Sequence, residues 1–151
     1  MDLHLSNKHI LITGGSKGIG LSCAEAFLSE GARVSLVSRS ESNLANARTK
    51  LVAYAKEHIQ TFAADLTQPS SAQAALDSAI QAFGPVDVLV NSAGAAKRTP
   101  APELTSQAWQ DAMQAKFFSY INMIDPVIKQ MGQRGQGNIV NVIGNGGKVP
   151  S

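Results

Sequence analysis

Residues 13–20 read Thr-Gly-Gly-Ser-Lys-Gly-Ile-Gly, a glycine-rich stretch that follows a short apolar run and precedes a helical segment. Glycine lets the backbone approach a pyrophosphate closely, and the following helix offers free N–H groups and the positive end of its dipole. A loop in this position predicts a phosphate-binding turn, and a glycine-rich turn without a ligand is the alternative. The spacing is not Gly-x-Gly-x-x-Gly, because the third position from Gly14 is Ser16 and the sixth from Gly18 is Cys23.

Short runs rich in Val, Ile and Leu alternate with helical stretches along the chain. The clearest helix covers 71–83, where apolar residues recur with a helical period between Pro69 and Gly84. Strands alternating with helices imply right-handed crossovers and a parallel sheet covered on both faces. We expect a Rossmann-type doubly wound α/β fold, one domain over 1–151, with strands at 10–13, 33–37, 59–63, 86–91 and 138–143.

The chain ends just after the fifth predicted strand. In an open α/β sheet a further helix should cover the exposed face of that strand. We therefore expect a domain that is incomplete at its C-terminal end, in a polypeptide that continues past Ser151 or is a fragment.

The segment 105–132 predicts a helix with apolar residues on two sides. Such a helix is either deeply buried or packs on its own sheet and also on a partner subunit. One stripe contains Trp109, Met113, Tyr120, Met123 and Val127, and the other contains Phe117, Ile121, Ile124 and Ile128.

Composition excludes several classes of protein. The 151 residues carry a formal charge of only +2 and no basic tract, which argues against a nucleic-acid partner. No stretch approaches the roughly 20 apolar residues of a membrane span, and the first nine residues are not a targeting sequence. Cys23 is the only cysteine, so no internal disulfide forms and we expect a reducing, cytoplasmic location. No metal site is predicted.

Four motifs occur in an order that is typical of one family. Residues 13–20 fit Thr-Gly-x-x-x-Gly-x-Gly, Asp65-Leu66 follows the third strand, Asn91-Ser92-Ala93-Gly94 ends the fourth, and 137–142 read Gly-Asn-Ile-Val-Asn-Val. Alone, Asp65 could be a helix cap and Asn91 a strand-end polar residue. Together they resemble the short-chain dehydrogenase/reductase family, whose usual Asn-Asn-Ala-Gly is altered here at one position. The resemblance covers essentially the whole chain, but only the first part of a typical member.

The resemblance implies a dinucleotide cleft at the carboxyl ends of the strands. In the family, the residue at Asp65 contacts the adenine. The cofactor-binding residues that we predict are Gly14, Ser16, Lys17, Gly18, Ile19, Gly20, Ser38, Arg39, Asp65, Leu66, Asn91, Ala93 and Gly94.

The end of the second strand indicates which dinucleotide binds. An NAD site usually has a carboxylate there for the ribose 2′-OH, but the sequence reads Ser38-Arg39-Ser40 with no carboxylate before Glu41. The Arg39 guanidinium can pair bidentately with a 2′-phosphate. In the family, a basic residue at Lys17 combined with this arginine goes with NADP(H). We therefore predict NADP(H), with NAD(H) as the alternative if both cations are ordinary surface charges.

The catalytic residues of the family are largely missing. Its Tyr-x-x-x-Lys motif would lie beyond Ser151, since neither Tyr54 nor Tyr120 is followed by lysine four residues later. Its serine falls on Gly144, which has no hydroxyl. Asn145 beside it is a weak catalytic candidate, or part of a glycine-rich turn.

The family's helical asparagine, which holds a water in a proton relay, falls on Lys116. The lysine amine is a second weak catalytic candidate, or the side chain snorkels to solvent. Asn122 is no substitute, because six residues turn it to another side of the helix.

The resemblance implies a cytoplasmic NADP(H)-dependent oxidoreductase that transfers a hydride between the nicotinamide and a small carbonyl or secondary-alcohol substrate. Family members are commonly homodimers or homotetramers through the 105–132 helix. The alternatives are a non-catalytic NADP(H)-binding sensor or regulatory relative, which the changes at Gly144 and Lys116 favour, and an inactive fragment. Residues 1–151 alone are expected to be inactive, because the proton-donating tyrosine and its lysine are absent.

Overall fold

Five parallel strands form the centre of the molecule, which a computed structural model describes over residues 3–54, 56–94 and 99–144. The strand order is β3-β2-β1-β4-β5. Every pairing is parallel and in continuous register; for example, Ile10 lies opposite Val34 on one side and Val88 on the other. This confirms the doubly wound fold. The strands are β1 His9–Thr13, β2 Arg33–Ser38, β3 Ile59–Ala63, β4 Val88–Asn91 and β5 Asn138–Asn141.

Helices cover both faces of the sheet. Alternate residues of a strand point to opposite faces, so Ile10 and Ile12 pack against α1 and α2, whereas Leu11 packs against α3 and α5. After β3 the chain crosses back over the sheet, so that β4 pairs in parallel with β1 on the side opposite to β2. The helices are α1 Gly18–Ser29, α2 Glu41–Leu51, α3 Pro69–Phe83, α4 Ser106–Met113 and α5 Ser119–Arg134, with short 3₁₀ turns at Lys56–His58 and Ala101–Glu103.

Several predicted boundaries shift by one or two residues. The third helix begins at Pro69, because proline without an N–H fits the first turn of a helix. The fourth strand begins at Val88 rather than at residue 86. Just before this strand, the Asp87 carboxylate accepts a hydrogen bond from the His9 N–H. The Asp87 N–H in turn donates to the His9 carbonyl oxygen. The fifth strand ends at Asn141 rather than at residue 143.

The prediction of one continuous helix over 105–132 is wrong. A π-helical turn, Gln114–Phe118, separates α4 from α5, and the helix ends at Arg134 before the left-handed Gly135. An extra residue in a helix rotates everything before it by about 100°. Trp109 and Met113 therefore do not continue the buried stripe, and they are 61% and 47% exposed.

The rest of the two predicted stripes follows α5. Tyr120, Met123 and Val127 are buried against the sheet. The second stripe faces solvent in this chain, except that Ile124 packs partly on the core. Its other members, Phe117, Ile121 and Ile128, are 50%, 37% and 53% exposed.

A buried histidine lies at the amino end of the sheet. His9 is fully buried; its Nδ1 lies 2.7 Å from the Gly84 carbonyl oxygen and its Nε2 lies 2.8 Å from the Ser35 hydroxyl. The carbonyl can only accept, so Nδ1 carries the proton and Nε2 accepts from Ser35. Burial lowers the pKa of His9 below its ordinary value, although the bond to Gly84 opposes this effect. This histidine is a neutral structural residue far from the carboxyl ends of the strands.

Candidate functional site

A cleft of about 610 Å³ opens at the carboxyl ends of the strands. It lies where β1 separates β2 from β4, the position at which ligands bind in open α/β sheets. Eleven of the thirteen predicted cofactor-binding residues line it, and Gly20 and Asn91 do not. The residues of the cleft wall are Gly14, Ser16, Lys17, Gly18, Ile19, Val37, Ser38, Arg39, Asn43, Ala64, Asp65, Leu66, Thr67, Ser92, Ala93, Gly94, Ala115, Lys116, Ser119 and Val142.

The glycine loop brings backbone N–H groups to one wall of the cleft. Helix α1 begins at Gly18, and no side chain caps its first turn. By contrast, Ser40 caps α2 and Thr105 caps α4. The uncapped amides of α1 and the positive end of its dipole can therefore receive an anion. Gly18 has φ of +52°, and a Cβ there would meet no protein atom within 4 Å.

Gly14 and Gly20 allow the loop to pack closely against its neighbours. A Cβ on Gly14 would lie 2.8 Å from the Ala93 backbone, and Gly14 also has φ of +67°. A Cβ on Gly20 would collide with the Gly14 carbonyl oxygen. Gly20 is thus needed to bring α1 against the loop, which explains its place in the motif although it does not line the cleft.

The end of β2 presents a cation and a hydroxyl pair. The exposed Arg39 lines the cleft beside Ser38, whose Oγ accepts a 3.0 Å hydrogen bond from the Ser16 hydroxyl. This bond connects the glycine loop to the second strand. The Ser40 hydroxyl oxygen accepts a hydrogen bond from the Asn43 N–H and so caps α2.

Asp65 lies at the end of the cleft formed after β3. Its Oδ1 accepts hydrogen bonds from the Thr67 hydroxyl at 2.8 Å and the Thr67 N–H at 3.0 Å. These two bonds, with a smaller contribution from the Arg39 guanidinium, hold the pKa of Asp65 below its ordinary value. Asp65 is therefore an ionised acceptor at neutral pH and not an acid catalyst.

Asn91 is buried beneath the cleft rather than in its wall. Its Oδ1 accepts from the Thr13 hydroxyl at 3.2 Å, and its Nδ2 donates to Asn141 Oδ1 at 3.0 Å. Thr13 Oγ1 in turn accepts from the Ser92 and Ala93 N–H groups. Asn91 thus joins three strand ends and fixes the backbone that borders the cleft.

The structure describes Lys116 but not Asn145, the other weak catalytic candidate. Asn145 lies outside the described residues, and Gly144 is exposed with no atom near the position of a Cβ. Of the two tyrosines, Tyr54 donates to Glu25 Oε1 at 3.0 Å, and Tyr120 donates to the Val142 carbonyl oxygen at 2.6 Å. Neither hydroxyl proton is available to a ligand in the cleft.

Lys116 is exposed, and it also lines the cleft at its β4–β5 side, so its ammonium is open both to solvent and to the cleft. Its Nζ lies 3.4 Å from the Tyr120 hydroxyl oxygen and 5.1 Å from the centre of that ring. A Cβ on Gly94 would lie 2.8 Å from Lys116 Cδ, so the glycine makes room for this side chain. Asn122 does face elsewhere, since its Nδ2 donates to the Leu66 carbonyl oxygen at 2.9 Å.

Several residues of the cleft wall were not predicted from the sequence. The polar ones are Asn43, Thr67, Ser92 and Ser119. Thr67 could have been found from its position two residues after Asp65, where a hydroxyl commonly pairs with the carboxylate. Asn43 lies in the first turn of α2, and its approach to the cleft depends on how that helix enters.

Two kinds of feature are absent from the described part of the chain. No three His, Cys, Asp or Glu side chains there are grouped as metal ligands. None of the helices there has the length and apolar character needed to cross a bilayer.

Comparison with known proteins gives a consistent result. The profile of the short chain dehydrogenase family matches residues 8–151. The chain is 36% identical over 141 residues to a D-threitol dehydrogenase of Mycolicibacterium smegmatis, covering 93% of this chain and 54% of that protein. It is 32% identical to the 3-oxoacyl-[acyl-carrier-protein] reductase FabG of Vibrio cholerae, covering 97% and 61%.

Solved structures agree with the fold. An actinorhodin polyketide ketoreductase variant with NADPH superposes with a TM-score of 0.90 at 30% identity, over 100% of this chain and 58% of that one. A short chain dehydrogenase from Bacillus anthracis gives a TM-score of 0.88 at 26% identity, over 96% and 58%. The chain thus spans just over half the length of the relatives it matches. With the family profile covering nearly all of it, the chain belongs to the short-chain dehydrogenase/reductase family of oxidoreductases.

Proposed function

We propose that this chain forms the cofactor-binding domain of an NADP(H)-dependent oxidoreductase acting on a small carbonyl or secondary-alcohol substrate. The observation that carries the proposal is the end of β2, where the cleft presents Arg39 and Ser38 instead of a carboxylate. A free carboxylate at this position would bond a ribose 2′-OH and repel a 2′-phosphate. A guanidinium attracts the phosphate and matches its geometry.

The shape of the cleft fits a dinucleotide. Gly18 leaves open space in front of the uncapped N-terminus of α1, where a pyrophosphate can approach the amides. The switch point between β1 and β4 provides room on both sides of that loop for two nucleoside halves. Asp65, ionised and held by Thr67, offers its second carboxylate oxygen as an acceptor on the β3 side, where an adenine amino group would lie.

The polar and charged residues in and beneath the cleft wall can play roles that follow from their chemistry. A bound nicotinamide would donate a hydride to a carbonyl carbon in reduction, or accept a hydride from the carbon of a secondary alcohol in oxidation. Lys17 and Arg39 balance phosphate charge, and Ser16 and Ser38 keep the loop and β2 together. Asn91 orients the β4 end through Thr13 and Asn141. The proton on the substrate oxygen must come from a group other than the two described tyrosine hydroxyls.

The relatives support the oxidoreductase class, since those named above are two dehydrogenases, a 3-oxoacyl-[acyl-carrier-protein] reductase and a polyketide ketoreductase. The solved ketoreductase was determined with NADPH. A cytoplasmic location is part of our proposal, because the sole cysteine is partly buried and cannot form an internal disulfide.

The test replaces Arg39 by alanine in the full-length protein and measures NADPH and NADH affinity by fluorescence titration. Loss of a charge-assisted contact should weaken NADPH by about 1.5–3 kcal/mol, with the lower end expected because the side chain is exposed. NADH should change little, because it has no 2′-phosphate.

Arg48→Ala is the matched control, since it removes the same charge from α2 at a position outside the cleft wall. It should leave both affinities close to those of the wild type. Equal losses of NADPH and NADH affinity in Arg39→Ala would remove Arg39 from the 2′-phosphate and with it the preference for NADP(H).

A further inference from the structure

The cations of the cleft lie on two sides of β1. Lys17 and Arg39 lie at the glycine loop and the end of β2. Lys116 lies beside Gly94, which follows β4, and beside Tyr120, which bonds to Val142 after β5. Adjacent strands are about 4.8 Å apart, so the ends of β2 and β4 are separated by about 10 Å. Lys116 thus lies on the other side of β1 from the two cations that we expect to face the phosphates.

The Lys116 ammonium has donors to spare. Its described partner is the Tyr120 hydroxyl oxygen, which accepts from Lys116 because its own proton goes to Val142. An ammonium has three N–H donors, so two remain. Over the described ranges no carboxylate lies within 4 Å of its nitrogen, whereas Lys129 and Arg134 each have one.

The side chain is also directed by its neighbours. Gly94, with φ of +126°, leaves the space that the lysine methylenes occupy, and the Tyr120 ring lies under the ammonium. Tyr120 itself is fixed, being 7% exposed and bonded at 2.6 Å to Val142. A cation held in this way at the wall of a cleft favours an anionic group on the ligand.

We infer that Lys116 binds a carboxylate of the substrate and that the substrates are keto acids or the corresponding hydroxy acids. This inference rests on the proposed function, which places the dinucleotide phosphates at the glycine loop and β2 and leaves the β4–β5 side to the nicotinamide and the reacting carbonyl. On that side a substrate carboxylate is the ligand group whose negative charge matches the free Lys116 donors. Lys116 is a specificity-determining residue, and Tyr120 is its positioning residue.

The binding test needs no turnover. Malonate and dimethyl malonate are titrated into full-length protein saturated with NADP⁺, and binding is followed by calorimetry. Wild type should bind the acid and not the ester, and Lys116→Met should weaken malonate roughly 10- to 100-fold, as expected for a lost charge-assisted contact. Lys116→Arg should retain part of the affinity, and Tyr120→Phe should lose part of it.

The activity test compares acids with their methyl esters. NADPH oxidation is measured with pyruvate, acetoacetate and levulinate and with the three esters. The ratio of kcat/KM for acid to that for ester should fall at least tenfold in Lys116→Met. Lys129→Met makes the same change on the exposed face of α5, where Lys129 pairs with Asp125, and should leave the ratio unchanged.

Three results overturn the inference. The first is a fall in kcat/KM by the same factor for acids and for esters in Lys116→Met. The second is a malonate affinity that is the same in Lys116→Met as in the wild type. The third is a loss of NADPH affinity of more than about threefold in Lys116→Met, which would assign the ammonium to the cofactor. Failure of the proposed function is different, since wild type would then fail to bind NADPH at all.

Discussion

Gly18 leaves open space in front of the first turn of α1 because it has no side chain. Its φ of +52° disfavours any β-branched residue, and its open side faces the cleft. Gly18→Val should abolish NADPH binding, because the branched side chain fills the space in front of the α1 amides. Equilibrium dialysis of full-length protein with NADPH measures this effect.

Gly135→Val is the matched control for Gly18→Val. Gly135 also has a positive φ, +68°, and open space around a Cβ, but it caps the C-terminus of α5 outside the cleft wall. This variant bears a similar backbone strain and should bind NADPH normally. Normal affinity in Gly18→Val would mean that the phosphates bind elsewhere.

His9 makes the stability of the protein depend on pH. Burial lowers its folded pKa below the ordinary 6.5, so protons bind preferentially to the unfolded chain. The stabilisation is present in full above pH 6.5 and is lost as the pH falls below it, by at most about 1.4 kcal/mol per pH unit. Urea unfolding between pH 7 and pH 5 measures this slope.

His9→Asn should flatten that slope, because the amide can still donate toward Gly84 but does not titrate. It should also lower the stability at neutral pH, because the shorter side chain replaces a fully buried ring. Asp87 does not interfere. Burial raises its pKa, but the bonds from His9 and Arg134 outweigh burial and lower it below 3.8, so its stabilisation is lost only at more acid pH. The same slope in wild type and variant would refute a neutral, buried His9.

Residue identities could be predicted best where the chemistry is local. Gly14, Gly18 and Arg39 line the cleft, where phosphate chemistry requires a close backbone and a cation, and Asp65 lies in the wall where the family resemblance implied an adenine contact. We predicted Asn91 as a cofactor-binding residue, but its side chain forms hydrogen bonds with Thr13 and Asn141 beneath the cleft. The side chain selects these two partners from residues that are distant in sequence. No local pattern encodes such a choice.

At the scale of elements, the strands and α3 followed from apolar periodicity, whereas the π turn did not. A shift from i→i+4 to i→i+5 hydrogen bonding leaves the sequence period nearly intact over the five residues Gln114–Phe118. Its consequence is large, because α4 and α5 then present their apolar residues in different directions. Trp109, Met113 and Phe118 border a second cavity of about 510 Å³ on that side.

The exposed apolar residues of the π turn and α5 should lie in a contact between two copies of the chain. Phe117, Ile121 and Ile128 form a patch that soluble monomers rarely leave open. Ile128→Glu should shift full-length protein toward smaller species in light scattering at micromolar concentration, because a buried unpaired carboxylate is costly. Gln133→Glu adds the same charge on another side of α5 and should not.

A wild-type monomer at that concentration would contradict the predicted contact. The exposed stripe of Phe117, Ile121 and Ile128 would then be left without an explanation.

At the scale of the whole molecule, residues 1–151 expressed alone should show no substrate-dependent NADPH oxidation. The described hydroxyls of Tyr54 and Tyr120 are committed to protein partners, and positioned acid catalysis typically contributes about 10²–10⁴-fold. The assay is NADPH absorbance with a panel of ketones, beside the full-length protein. Measurable turnover by 1–151 would show that the proton donor lies within these residues.

The same polypeptide should melt at a lower temperature than the full-length protein, or aggregate. Strand β5 lies at the edge of the sheet, and Val140 and Ile143 are 49% and 78% exposed. Parallel sheets are stable when both faces are covered, and an open apolar edge invites association. Calorimetry of both proteins checks this, and a cooperative melt at the full-length temperature would contradict it.

The most direct measurement is a crystal structure of the full-length protein with NADPH. We expect the pyrophosphate on the amides of the first turn of α1 beside Gly18, and the 2′-phosphate within about 3 Å of the Arg39 guanidinium. The nicotinamide should lie on the β4–β5 side, near Gly94 and Lys116. A 2′-phosphate in solvent away from Arg39, or a cofactor bound outside this cleft, would contradict the account.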